Sequence, residues 1–142
     1  RNKTPALFIG CKGSGTTLHI DQLESNFFMF LAEGAKQWTC FHRDDADLLA
    51  HTWDAKEQIR RFEPLNAAEP AAAARRVDFV LEEGEVLFIP RGTPHEVWNL
   101  APSVAVSANF WDQSNVTLAV RQLEAKLTQL DPKGARHANL DG

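Results

Sequence analysis

Cysteine is scarce in this chain, and the two that occur, Cys11 and Cys40, are far apart in the sequence. Structural zinc sites take their thiolates from short spacings such as Cys-x-x-Cys, which the sequence lacks, so a zinc site of that kind is excluded. Each cysteine lies in an apolar run, and we expect two buried free thiols. Free thiols are typical of a reducing compartment, which predicts an intracellular protein, cytoplasmic or nuclear.

Long apolar runs and an excess of basic residues are also lacking. No stretch approaches the roughly 20 apolar residues that a membrane-spanning helix needs, and none resembles a signal peptide. The formal net charge is -4, and no basic stripe is present. This charge pattern disfavours a general nucleic-acid surface or an anionic membrane surface, so we expect neither as a partner.

What the chain does contain fits one domain that is rich in turns. A chain of 142 residues can bury a sizeable core, and its eight glycines and seven prolines favour many turns. Because it begins at Arg1 rather than Met, we expect it to be a piece of a longer protein. Short apolar or alternating segments separated by turn residues predict about eight strands, as in a β-sandwich or barrel. These segments are residues 6–11, 16–21, 26–31, 36–42, 77–81, 86–89, 95–100 and 104–111.

Two regions depart from the strand pattern. Residues 44–76 begin with acidic residues and become rich in alanine, which predicts an insertion with solvated charges, in which 48–62 is either a moderate helix or irregular. After Trp111 apolar residues recur at three- and four-residue steps, as in an amphipathic helix. Its apolar stripe must be buried on the barrel or on a second copy of the chain, and the latter predicts a homodimer. The predicted organisation is a barrel over 1–113, a helix over 114–131 and a tail over 132–142.

The first candidate for metal chemistry is the pair His19 and Asp21, at the end of a β-type run that starts at Thr16. Strand side chains alternate between two faces, so this imidazole and this carboxylate lie on the same face. A His-x-Asp pair alone is common by chance, and a third ligand on another strand makes the pattern more specific. His95, which follows a turn, can supply it. Two imidazoles and one carboxylate on one face of a metal are the ligand set of non-haem Fe(II) oxygenases.

His95 belongs to a longer pattern that resembles the second motif of the cupin superfamily. From Gly84 the chain reads Gly-(x)5-Pro-x-Gly-x-x-His-(x)3-Asn, with Pro90, Gly92, His95 and Asn99 at the motif's positions. The resemblance implies an all-β double-stranded β-helix, also called a jelly-roll or cupin barrel. In this arrangement a buried strand and a Pro-Gly corner direct the histidine into the barrel.

The first motif departs from the cupin pattern and resembles the JmjC branch of the 2-oxoglutarate oxygenases. Cupins carry a second histidine where this chain has Asp21, and the glutamate that follows in cupins has no counterpart at the right interval. The resemblance covers residues 6–111 and leaves 44–76 and the C-terminal helix unmatched. Three further stretches resemble JmjC hydroxylases: Asn26-Phe27-Phe28, Gly34-Ala35-Lys36-Gln37-Trp38 and Ala108-Asn109-Phe110-Trp111.

The JmjC resemblance implies an activity and a set of site residues. The implied metal is Fe(II), the cosubstrate is 2-oxoglutarate, and the reaction hydroxylates a side chain of a protein substrate with release of succinate and CO2. The alternatives are a JmjC lysine demethylase, a non-oxygenase metal-binding cupin (an isomerase or small-ligand module), and a catalytically inactive barrel. The implied metal ligands are His19, Asp21 and His95, and the implied cosubstrate contacts are Thr16, Asn26, Lys36 and Asn109.

Overall fold

The computed structural model describes residues 5–54, 59–65 and 73–130. Strands dominate this part of the chain, and the all-β prediction is confirmed. Two short 3-10 turns, Gln22–Glu24 and Arg43–Leu48, interrupt them. The strands are β1 Ala6–Gly10, β2 Gly15–His19, β3 Asn26–Glu33, β4 Ala35–Phe41, β5 His51–Asp54, β6 Ile59–Phe62, β7 Arg76–Glu82, β8 Val86–Ile89, β9 His95–Asn99 and β10 Ser103–Phe110, and the helix α1 spans Val116–Leu130.

Eight of these strands form two four-stranded sheets, and all the pairings are antiparallel. The first sheet has the order β1-β10-β3-β8 and the second has the order β2-β9-β4-β7. The chain passes repeatedly from one sheet to the other, from β1 to β2, from β2 to β3, and again from β7 through to β10. Two facing antiparallel sheets joined in this way form a jelly roll, so the predicted barrel type is confirmed.

The core lies between the two sheets, because alternate side chains of each strand point inward. In β3 the inward residues Phe27, Met29 and Leu31 are buried, whereas Phe30 between them is exposed. From the opposite sheet, Trp38 joins the same cluster and is also buried. Complete burial of each such side chain contributes about 1.5–3 kcal/mol to folding. The period-two pattern therefore determines which face of each strand is available to line an internal site.

The helical alternative expected over 48–62 is wrong for the residues that the structure describes there, because 51–54 and 59–62 are strands; residues 55–58 lie outside the described residues. β5 and β6 pair as an antiparallel ribbon in which His51 lies opposite Phe62. Leu49, just before β5, is buried in a small cluster with Leu18 and Phe41, and Phe62 packs against that cluster. Short apolar stretches do not distinguish a strand from a buried helix by periodicity. Part of the alanine-rich stretch, residues 66–72, lies outside the described residues.

The charges of this insertion are not all solvated, which corrects a second expectation. The Asp45 side chain is buried, and its two carboxylate oxygens accept hydrogen bonds of 2.8 Å from Nε and Nη2 of Arg75. The backbone N–H of Arg75 donates a third hydrogen bond to Oδ2, also at 2.8 Å. These hydrogen bonds from Arg75 hold the pKa of the Asp45 carboxyl well below its usual range. The pair connects the turn after β4 to the chain entering β7.

The two cysteines are free, but they are not both buried. Cys11 is exposed in the turn after β1, whereas Cys40 is half-buried on β4. Burial raises the pKa of the Cys40 thiol to about 11, and the nearby Asp78 carboxylate contributes in the same direction. The expectation of two buried thiols is therefore wrong for Cys11, because its apolar run ends where the chain turns into solvent.

The C-terminal helix is present as α1. Asp112 stabilises the turn that precedes the helix. Oδ1 of Asp112 accepts hydrogen bonds from the backbone N–H and the hydroxyl of Ser114, at 2.7 and 2.6 Å. The side chains that face the barrel are Asn115, Ala119 and Gln122, of which Asn115 and Ala119 are buried. In the described part of the chain, α1 is too short and too polar to cross a membrane.

The apolar stripe of α1 is not the face that packs on the barrel. The predicted stripe consists of Val116, Val120, Leu123, Leu127 and Leu130. The first four remain 44–64% exposed, and the side chain of Leu130 lies outside the description. Within residues 5–54, 59–65 and 73–130, the barrel therefore leaves this stripe uncovered. Of the two expected ways to bury it, packing against the barrel is not observed. The predicted tail, residues 132–142, lies outside the described residues.

Candidate metal centre

His19, Asp21 and His95 come together at one end of the second sheet. β2 and β9 pair so that His19, the last residue of β2, lies directly opposite His95, the first residue of β9. The centroids of the two imidazole rings are 4.3 Å apart. One ligand atom from each of the three residues lies within 4.8 Å of the other two. The described residues contain one group of this kind, and it is the triad that the sequence predicted.

Hydrogen bonds set the orientation of both imidazoles. Nδ1 of His19 lies 2.8 Å from the carbonyl oxygen of Thr17, and Nδ1 of His95 lies 2.9 Å from that of Thr93. A carbonyl oxygen can only accept, so in each neutral ring Nδ1 carries the hydrogen and Nε2 keeps its lone pair. Backbone partners of this type orient histidine ligands in metal sites. The pair therefore offers two Nε2 atoms to a metal.

The environment of His95 favours the neutral imidazole that a metal requires. The residue is buried beside the rings of Phe27 and Trp38, whose centroids lie 6.3 and 5.7 Å from its own. Burial, and then the proximity of His19, lowers the pKa of His95 to about 4. A neutral ring at physiological pH does not have to lose a proton before it binds a cation.

The Asp21 carboxylate is held by Asn109. Nδ2 of Asn109 donates to Oδ2 of Asp21 at 3.0 Å and to Oγ of Ser25, also at 3.0 Å. The other carboxylate oxygen, Oδ1, lies 3.8 Å from Nε2 of His19. One oxygen is therefore oriented by the amide, while the other faces the histidines. We expected Asn109 to contact a cosubstrate; it does line the adjoining cavity, and it also orients a predicted metal ligand.

A cavity of about 390 Å³ adjoins the triad. It extends between the two sheets, and its walls include the apolar side chains of Phe27, Met29 and Trp38. Its volume is in the range typical of small-molecule sites. Three of the predicted cosubstrate contacts line it together with the triad, and they are Thr16, Lys36 and Asn109.

Lys36 lines this cavity, and its amine is buried. It is 5% exposed on β4, and its Nζ donates to Oδ1 of Asn99 and, at 3.1 Å, to Oγ of Ser103. Burial lowers the pKa of the Lys36 amine. Among the described residues, the partners of the Lys36 amine are neutral oxygen atoms, and no carboxylate lies within ion-pair distance of it.

Asn26 lies apart from this cavity. Its Nδ2 donates to Oδ2 of Asp112 at 3.1 Å, and its Oδ1 accepts from the backbone N–H of Arg91 at 3.0 Å. Both ends of the amide thus connect β3 to neighbouring segments, one after β10 and one before His95. Asn26 is not in the lining of the cavity, and its cosubstrate contact stays a prediction.

Two partners of Lys36 were not predicted to be site residues. Asn99 was noted only as a position in the cupin-like motif, and that position was the available signal for it. Its Nδ2 donates to Oγ of Ser14 at 2.9 Å, which fixes the amide with Oδ1 toward Lys36. Nothing in the sequence around Ser103 marks it as a site residue, because it reaches Lys36 only through the packing of β10 in the barrel.

Comparisons with known proteins agree with this geometry. Residues 3–118 match the sequence model of the JmjC domain. HSPB1-associated protein 1 of Rattus norvegicus is 35% identical over 112 residues, which cover 74% of this chain and 23% of that protein. The 2-oxoglutarate and iron-dependent oxygenase JMJD4 of Danio rerio is 25% identical over 129 residues, covering 87% of this chain and 30% of that protein.

A plant relative shows the same partial coverage. The arginine-specific demethylase JMJ22 of Arabidopsis thaliana is 28% identical over 117 residues, covering 78% of this chain and 23% of that protein. The chain thus spans less than a third of the length of each of these relatives. The domain match covers most of the chain and contains all three residues of the triad. This chain belongs to the JmjC domain family.

Proposed function

We propose that this chain forms the barrel of an Fe(II)- and 2-oxoglutarate-dependent dioxygenase. The observation that carries the proposal is the buried Lys36 amine, which opens on the cavity beside the triad and has only neutral oxygen partners among the described residues. A buried charge without a counter-charge is costly. A ligand with a carboxylate at one end and metal-binding oxygens at the other would neutralise the amine and bind the metal, and 2-oxoglutarate has this chemistry.

The donor set supports iron. Two imidazole nitrogens and one carboxylate oxygen, with the remaining positions open, are the ligands of non-haem Fe(II) oxygenases. When bound, iron and 2-oxoglutarate would react with O2 as the oxidant: one oxygen atom would enter succinate as CO2 leaves, and the other would serve the oxidation of the substrate C–H bond. The residues of this chain supply binding and orientation: His19 and His95 present Nε2, and Asn109 orients Asp21.

The remaining cavity residues suit a dicarboxylate. Lys36 is positioned to bind the carboxylate remote from the metal, and Thr16 on β2 offers a hydroxyl to the same group. The apolar walls formed by Phe27, Met29 and Trp38 limit the entry of water, which strengthens these charged contacts. Two features argue against a non-oxygenase cupin: the buried Lys36, and the presence of Asp21 where cupins carry a second histidine.

For the substrate, we propose a side chain of a protein. The name of the zebrafish relative describes an oxygenase, and the Arabidopsis relatives are named lysine-specific and arginine-specific demethylases. Demethylation is therefore the second candidate, and like hydroxylation it starts with oxidation of a C–H bond. We further propose that the exposed stripe of α1 contacts a second copy of this chain. The intracellular location stays a prediction.

The test is anaerobic addition of Fe(II) and then 2-oxoglutarate, followed by visible absorption. A charge-transfer band of the chelated cosubstrate is expected, and it should disappear in Asp21→Ala and require much more 2-oxoglutarate in Lys36→Ala. Lys12→Ala, which removes an exposed lysine, is the matched control and should behave as wild type. Metal binding without a band would favour the small-ligand cupin. Absence of both would favour a catalytically inactive barrel.

A further inference from the structure

We propose that the segment leading into α1 positions the metal ligand Asp21 through the turn that follows it. This turn, Gln22–Glu24, is called the ligand turn below. The positioning residues are Trp111 and Asn115, which lie far from Asp21 in sequence and act through the turn. The inference rests on the proposed metal site and adds to it the residues that hold one ligand in place.

The ligand turn has a backbone conformation that needs external support. Leu23 has φ 56° and Glu24 has φ 51°, so two consecutive residues with side chains occupy the left-handed region. In this region Cβ of an L residue crowds the backbone, and only glycine adopts it freely. Strained conformations of this kind persist where the surrounding structure determines them, and they cluster at functional sites. Asp21 immediately precedes this turn.

The support comes from two side chains that bind the carbonyl groups of these two residues. Nε1 of Trp111 donates to the carbonyl oxygen of Leu23 at 2.7 Å, across 88 positions of sequence. Nδ2 of Asn115 donates to the carbonyl oxygen of Glu24 at 2.8 Å, across 91 positions. Asn115 is completely buried, and its Oδ1 accepts from the backbone N–H of Asp112 at 2.8 Å. Each left-handed residue is thus held by one side chain from the segment at the start of α1.

The ligand turn is also connected to Asp21 through the side chains of Ser25 and Asn109. Ser25, which follows the ligand turn, donates from Oγ to the carbonyl oxygen of Gln22 at 2.9 Å. Its Oγ also accepts from Nδ2 of Asn109, the atom that donates to Asp21. A shift of the turn would therefore move Ser25 and disturb the amide that orients the carboxylate.

The position of α1 on the barrel affects the ligand turn, because in the described residues α1 has few other contacts with the barrel. The ligand turn is the element on which α1 packs most, in the part of the chain that the structure describes. Nε2 of Gln122 approaches Oε1 of Glu24 at 3.5 Å, and Nη1 of Arg91 donates to Oε2 of Glu24 at 2.8 Å. The helix therefore contacts the barrel chiefly where the chain leaves a metal ligand.

The test uses Ni(II) alone as the probe, titrated into the metal-free chain by calorimetry. Ni(II) binds imidazole sites more tightly than Fe(II) does, so weakened variants stay measurable. Trp111→Phe keeps an aromatic ring and removes the N–H donor, and we expect roughly tenfold weaker binding, the size of effect typical of residues that orient metal ligands. Trp53→Phe, at an exposed tryptophan, is the matched control and should bind as wild type. Asn115→Ala, which removes the second donor, should weaken binding similarly.

A double-mutant cycle separates positioning from general destabilisation. In the Asp21→Ala background, in which the two imidazoles remain, Trp111→Phe should cause no further loss of Ni(II) affinity, because its effect acts through Asp21. An equal loss in both backgrounds would overturn the inference, as would wild-type affinity in both Trp111→Phe and Asn115→Ala. Thermal unfolding of each metal-free variant establishes that the titrations are made on folded protein, and the less disruptive variant is used for the cycle.

The outcomes also separate this inference from the proposed function. If wild type binds Ni(II) and the cycle behaves as expected, but Fe(II) and 2-oxoglutarate give no charge-transfer band, the positioning role stands and the oxygenase proposal fails. If the band forms but the cycle shows independent effects, the oxygenase proposal stands and the positioning role fails. If wild type binds no Ni(II), both fail.

Discussion

Nδ2 of Asn109 lies 3.0 Å from Oδ2 of Asp21, on the side of the carboxylate away from the oxygen that faces His19. The amide can therefore orient the carboxylate without competing for the oxygen that a metal would use. Asn109 also approaches Ser25, so one side chain connects β10, the segment before β3 and the metal ligand. Hydrogen bonds of this kind determine how well a ligand set is organised before the metal binds.

Asn109→Ala should weaken metal binding by roughly 10–100-fold, because Asp21 loses the donor that orients it. Calorimetric titration of the metal-free protein measures this directly. Asn109→Asp keeps the size of the side chain but places a second carboxylate beside Asp21, and it should weaken binding at neutral pH at least as much. Unchanged affinity in both variants would show that the contact has no role in ligand orientation.

Lys36→Met should separate cosubstrate binding from stability. It removes a buried charge but keeps similar volume, and replacing an uncompensated buried ion by an apolar side chain is often neutral or stabilising. The metal-free variant should therefore unfold within about 1 kcal/mol of wild type, while the KM for 2-oxoglutarate rises by roughly 30-fold or more, as when one partner of a buried charged pair is lost. Denaturant unfolding and turnover assays measure the two quantities. A large loss of stability with an unchanged KM would show that Lys36 serves the fold.

The Asp45–Arg75 pair should make the barrel sensitive to acid. The folded-state pKa of Asp45 is lowered, chiefly by the hydrogen bonds from Arg75. Its stabilisation is therefore fully present above the unfolded pKa of about 3.9 and is lost as the pH falls toward the lower folded-state value. Asp45→Asn should reduce this loss, as measured by urea midpoints between about pH 6 and pH 3.

Asp47→Asn is the matched control for that experiment. Asp47 also pairs with an arginine, Arg60, at 2.8 Å, but its side chain is 77% exposed. Exposed pairs contribute little, so this variant should keep the acid sensitivity of wild type. Identical pH profiles for wild type, Asp45→Asn and Asp47→Asn would contradict the assignment to Asp45.

The two thiols should differ in reactivity. Cys11 is exposed, whereas burial raises the pKa of Cys40 to about 11, so at about pH 8 only roughly a thousandth of Cys40 is thiolate. Alkylation of the native protein followed by mass spectrometry should give one modified thiol quickly and the second only in denaturant. Cys11→Ser should leave a native protein that resists labelling. Rapid labelling of that variant would show that Cys40 is accessible and reactive.

The proposed dimer is tested through the exposed stripe of α1. Leu123→Glu and Leu127→Glu place charges on a stripe that the barrel leaves uncovered, and they should shift sedimentation from dimer to monomer. Arg121→Glu, at an exposed position of the same helix outside the stripe, is the control and should leave the sedimentation unchanged. A single species that none of the three substitutions alters would remove the dimer proposal.

The ligand set and the strands around it were predictable from the sequence because their signals are local. The spacing of His19 and Asp21 requires only a locally extended backbone, and Asp21 is extended although β2 ends at His19. The Pro-Gly corner before His95 requires only turn chemistry. The pairing of β5 with β6 was not predictable in this way. Its short apolar stretches suit a helix or a strand equally well, and packing of Leu49 and Phe62 against another cluster decides between them.

The sequence by itself determined the family, the barrel and the identity of the candidate ligands, since each depends on residue types at short, regular spacings. Only the tertiary structure decided what the supporting side chains do. Asn26 and Asn109 are both asparagines in strands, yet one connects structural segments and the other orients Asp21. The support of the ligand turn by Trp111 and Asn115 spans about ninety positions. Contacts at that separation depend on how the sheets and the helix pack, which no local periodicity encodes.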